Sequence, residues 1–127
     1  MAAYNPADTH EEDRNQAVNE FLHRLNAFDA ERQSALEAGV PALGRLAKIA
    51  GGDTGQAAKV RRFLLGLYNG PRFPFDLTEL RGLDIQLFED CMSVLRLDAR
   101  ATIKEVHQFF TNGSDLFEKW AKLERKR

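Results

Sequence analysis

Residues 53–84, DTGQAAKVRRFLLGLYNGPRFPFDLTELRGLD, constrain the fold more than any other stretch. Asp53-Thr54-Gly55-Gln56 has the form of a capping box, with an acidic N-cap and a Gln at N3. Val60, Phe63, Leu64, Leu67 and Tyr68 then recur on one face of a helix. Asn69-Gly70-Pro71 stops that helix. In Pro71–Phe75 the residue before each proline is pushed toward extended geometry, so the loop is stiff. Asp76-Leu77-Thr78-Glu79 caps a further helical turn reaching Leu83. Helix, rigid loop and helix restart leave no room for a strand.

The same signals recur along the chain. Asp8 and Thr9 each have a glutamate three residues on, and Val18, Phe21, Leu22, Leu25 and Phe28 follow at helical spacing. A second helix is expected from about Asp29 through Leu36, with Gly39 as its stop. Pro41 suits the first turn of a third, where its missing N–H costs nothing. Leu43, Leu46, Ala47 and Ile49 or Ala50 give that helix its apolar side, and Gly51-Gly52 ends it. A single helix kinked at Pro41 is the competing reading. Asp84–Leu97 carries Leu87, Phe88, Cys91, Val94 and Leu95. Thr102–Glu105 reads as another capping box, opening a short helix with Ile103, Val106 and Phe110. Asn112-Gly113 makes a turn into a last helix with Leu116, Phe117, Trp120 and Leu123 inside. Its end carries Lys119, Lys122, Arg125, Lys126 and Arg127, cations placed well for the helix dipole. No alternating pattern of useful length exists. The expected fold is all-α, a single compact domain of about six or seven short helices over residues 8–127, after a flexible segment 1–7.

Composition bounds the class. At 43% hydrophobic and 29% charged residues, with nine Phe, the chain has the make-up of a globular protein with an aromatic core. Its one cysteine, Cys91, permits no internal disulfide and no cysteine-rich zinc site, which suits a cytoplasmic location. The acidic N-terminus is no signal peptide, and no run approaches a membrane span. Charge is laid out in blocks: residues 1–40 and 76–118 are each net −5, residues 41–75 net +5 and residues 119–127 net +4. Either these blocks lie against one another and cancel, or they expose a basic patch.

Catalytic signals are weak. Cys91 and His107 have the types of a nucleophile and base, but Cys91 lies within an apolar stripe and no third group orients them. His10, His23 and His107 are dispersed. Asp84, Glu89 and Asp90 read as a solvated helix face. Gly51-Gly52 and Gly55 lack the lysine and hydroxyl of a phosphate-binding loop. No catalytic residue, metal ligand or cofactor is expected.

Two surfaces remain. Arg72, Phe73 and Phe75 combine the residue types of binding hot spots with a loop that needs little ordering. The bland reading is that both rings tuck into the core. Arg45, Lys48, Lys59 and Arg62 form a basic set across the Gly51-Gly52 turn, a candidate phosphate-binding face if the two helices make a hairpin. A helix–turn–helix at residues 102–122 fares worse, because Asp115 and Glu118 open its second helix.

DTGQ and then VRRFLLGLYNGPRFPFDLTELRGLD, extended through LFEDCMSVLRLDARATIKEVH to His107, resemble an uncharacterised family of small proteobacterial proteins. The resemblance implies a bacterial cytoplasm and a setting on genomic islands or plasmids. It carries no activity and transfers no site residue. The expected function is therefore a non-catalytic protein-interaction module, as an accessory factor of a mobile element. A protein partner or self-association is expected first, a nucleic acid second, and no membrane.

Overall fold

A computed structural model of the protein describes residues 6–125, and among these every regular element is helical. α1 (Pro6–Ala50) turns through residues 51–54 into α2 (Gly55–Tyr68). The proline-rich loop and a 3-10 turn (Leu77–Gly82) lead to α3 (Ile85–Arg96), which closes in a π-helical turn (Leu97–Ala101). A second 3-10 turn (Val106–Phe109) precedes α4 (Gly113–Arg125). The compact all-α expectation holds. Residues 1–5 and the Asp8 and Thr9 side chains of the first capping box lie outside the described residues, and residues 6 and 7 are already helical.

The main correction concerns length. The three short helices expected before Gly51 are one helix of 45 residues, as the competing reading of one helix through Pro41 had it for the later part. Gly39 does not stop it. A Cβ there would stand 2.5 Å from Leu97 Cβ and 3.0 Å from the Ser93 carbonyl oxygen, so Gly39 is where α1 presses its backbone onto α3. Pro41 lies inside the helix, removing one backbone hydrogen bond at a cost of about 3 kcal/mol. Leu43 and Leu46 on the same stretch are fully buried, and at about 1.5–3 kcal/mol each they offset that cost.

α3 runs antiparallel to α1, as three pairings show: Arg45 with Asp90, Gly39 with Leu97, and Glu31 with Arg100. α2 closes on α1 and α4, and the core between them contains Leu43, Leu46, Val60, Leu64, Leu65, Cys91, Val94, Val106, Phe117 and Trp120. Phe117 meets Trp120, Tyr68 and Phe110 in tilted ring contacts. The aromatic core read from composition is therefore real and gathers around α4.

Caps fall close to their expected places, with shifts that have local causes. Thr54, not Asp53, caps α2, its hydroxyl accepting from Ala57 N–H at 3.0 Å. Gln56 is then free to donate to the Gly82 carbonyl and to accept from Asp84 N–H, tying α2 to the start of α3. Asp76 caps its turn as read, whereas Asp84, read as part of a solvated acidic face, caps α3 by accepting from Leu87 N–H. The later capping box is Glu105 with Gln108, not Thr102 with Glu105. Thr102 sits in the left-handed region at φ 49° and leaves the π turn instead.

Candidate interaction surface

The Arg72–Phe75 loop is fastened down. Phe75 meets Phe63 edge to face at 5.6 Å and packs beside Gly66, where a Cβ would crowd its own at 3.1 Å. Phe73 also packs on the core, with the Arg72 guanidinium 4.7 Å above its ring. Arg72 then forks onto Glu118 of α4 at 2.7 and 3.0 Å, and the Tyr68 hydroxyl donates to the same carboxylate at 2.6 Å. Two donors hold Glu118 far below the usual carboxylate range, down to about 2, Arg72 first and Tyr68 second. The loop acts as a clasp between α2 and α4.

The two arginines of the basic set are consumed in ion pairs. Arg45 meets buried Asp90 through two hydrogen bonds, at 2.9 and 3.1 Å. Asp90 is thus no part of a solvated acidic face. Arg62 forks onto Glu79 and reaches Glu124. The Lys59 chain lies across Gly82, occupying the space a Cβ would take, and Lys48 is exposed. Arg61, adjacent in sequence, is 5% exposed. Its guanidinium donates to the Ala50 and Gly52 carbonyls at 2.8 and 3.0 Å, closing the end of α1, and to Glu124 at 2.7 Å. The charge blocks thus cancel at these positions.

Cys91 is fully buried, and burial, with the neighbouring Asp90 charge second, pushes its thiol up to about 12. It is therefore a thiol in an apolar stripe rather than a thiolate. His107 lies edge-on to Tyr68 and near Phe117. Among the described residues no three His, Cys, Asp or Glu side chains gather where a metal ion would sit.

The surface that stands out is the apolar face of the first amphipathic helix, which the sequence shows only as residues at helical spacing. Val18, Phe21, Leu22, Leu25 and Phe28 form a continuous stripe on α1, and all are exposed, Phe21 at 60% and Val18 at 54%. Toward the C-terminus the same stripe runs into Ala35, Gly39, Ala42, Leu43, Leu46 and Ala50, all buried. Cover ends where Arg32 donates to the Ala101 carbonyl and Arg100 meets Glu31. Before that point residues 11–30 stand clear of the body, every one exposed. Periodicity alone cannot separate a covered stripe from a bare one.

No curated protein and no solved structure matches this chain. One family model does, over residues 40–125, a span that takes in the clasp, the buried arginine and most of the helical body but begins after the bare stripe. The chain belongs to that family, the Family of unknown function (DUF7673).

Proposed function

We propose that this protein is a non-catalytic α-helical interaction module that meets a protein partner through the bare stripe of α1. One observation carries the reading: five large apolar side chains, Val18, Phe21, Leu22, Leu25 and Phe28, lie contiguous and exposed on one helix face. Single exposed apolar residues are ordinary, whereas a contiguous patch of several hundred Å² marks a contact site. Of the remaining exposed large apolar residues, Val40 lies farther along α1, and Leu77, Ile85, Leu95 and Ile103 lie outside α1. An accessory role in the bacterial cytoplasm, on a mobile element, rests on the resemblance of residues 53–107 and fits a small adaptor.

The clasp makes a weaker contact site, since Phe73 and Phe75 are already packed and Arg72 is already paired. The carboxylates on Arg45 and Arg62 weigh against phosphate binding by that face. The test is a photo-crosslinking residue placed at Phe21, or at Phe75, in the full chain expressed in cells. Adducts to protein from position 21, with few from position 75, are expected. Adducts from 75 alone would move the site to the clasp, and none from 21 would end this reading.

A further inference from the structure

We infer that the occupant of the stripe is a second copy of this chain, its arm lying antiparallel to the first. This rests on the proposed contact role of the stripe and names its partner.

The spacing of the stripe is self-complementary. Val18, Phe21, Leu25 and Phe28 follow the 3–4 spacing of a helix-pairing seam, with Leu22 widening it. In an antiparallel pair centred near residue 23, Val18 of one copy faces Phe28 of the other, and Phe21 faces Leu25. Large thus meets smaller at each layer, and one patch serves both copies, as two-fold symmetry requires. With ~200 Å² for a fully exposed side chain of this size, the observed exposures supply roughly 500 Å² of apolar surface per copy. Two copies reach about 1,000 Å², the lower bound of a specific interface.

Charge and bulk set the direction. Residues 11–14 of the arm are Glu11, Glu12, Asp13 and Arg14, while at its base Arg96 and Arg100 act on Glu31 and Arg32 reaches the Ala101 carbonyl. Parallel pairing stacks acidic tip on acidic tip and crowds two helical bodies at one end. Antiparallel pairing sends the bodies to opposite ends and lays Glu11, Glu12 and Asp13 near the other copy's arginine-rich base, while the same register sets Arg14 opposite Arg32. It also brings Arg24 of each copy close to its mate. That repulsion is eased by Glu20, 3.7 Å from Arg24 on the same helix. A lipid surface suits the arm less well, because its polar face carries Glu11, Glu12, Asp13, Glu20 and Asp29 against Arg14 and Arg24.

Light scattering after size exclusion, on the full chain, tests the inference. Twice the chain mass is expected at micromolar concentration, falling to one chain mass on dilution. Phe21→Glu enters the interface twice and is expected to weaken the dimer by ~100-fold or more. Leu77→Glu, at a more exposed position off the stripe, should leave the mass unchanged. Orientation is read with added cysteines. Fully buried Cys91 stays silent, so mixing Asn15→Cys protein with Asp29→Cys protein should give a disulfide-linked pair, and Asn15→Cys alone should give little. A single-chain mass at every concentration, or a dimer indifferent to Phe21→Glu, overturns the second copy as occupant. Self-linkage of Asn15→Cys overturns the antiparallel arrangement. A chain that stays monomeric yet crosslinks other proteins at position 21 defeats this inference and leaves the proposed function standing.

Discussion

Arg61 and Arg62 are neighbours with opposite roles. Arg61 is inside, holding two backbone carbonyls and Glu124, while Arg62 lies at the surface of the same network. Removing one partner of a buried pair strands the other, so Arg61→Ala is expected to cost about 3–5 kcal/mol in urea unfolding. Arg61→Lys should rescue little, because a point ammonium cannot reproduce the fork. A loss under about 1 kcal/mol would mean that Arg61 is not the closure of α1. Glu118 gives a pH signature. Its folded value near 2 lies below the ordinary 4.5, so its contribution is complete above pH 4.5 and disappears as pH falls toward 2. Glu118→Gln should therefore lower Tm at neutral pH, and the gap from the parent should close between pH 4.5 and 2. A gap independent of pH would assign Glu118 a packing role only. Little of this was legible in the chain. Arg61 and Arg62 are adjacent basic residues in a basic block, and only the docking of α1 and α4 separates them. The pairings of Arg72 with Glu118 and of Arg45 with Asp90 join residues 46 and 45 positions apart.

Ends set by local chemistry were more legible than the extent of α1. The caps at Asp76 and Asp84, the stop at Asn69 and the turn at Asn112, whose φ is 55°, all follow from local chemistry that needs no distant contact. Gly39 and Pro41 misled for a physical reason. Both are helix breakers in isolation, yet here one provides close approach to Leu97 and the other is carried by a buried stripe. This makes Pro41→Ala informative. Within one continuous helix it restores a backbone bond and should raise stability by about 1–3 kcal/mol. At the first turn of a separate helix it would be neutral or harmful, so an unchanged or lower Tm would contradict the continuous α1.

At the scale of the molecule, lengths decide what is covered. At about 1.5 Å per residue, the 45 residues of α1 span roughly 68 Å, while α3 with its π turn spans roughly 25 Å. The antiparallel cover therefore runs out near Arg32, and the apolar stripe continues without it. The amphipathic pattern was plain in the sequence. Whether anything lay over it was not, because that depends on the reach of a partner element far along the chain. A helical arm of this length without tertiary packing is only marginally stable in water. Covering the stripe and firming the helix are thus one event. Amide hydrogen exchange along α1 across a dilution series tests this most directly. The account predicts that residues 35–50 stay protected at every concentration, while residues 11–30 are protected at micromolar concentration and exchange quickly when diluted. Equal protection of both halves at all concentrations, or fast exchange of residues 11–30 throughout, would contradict it.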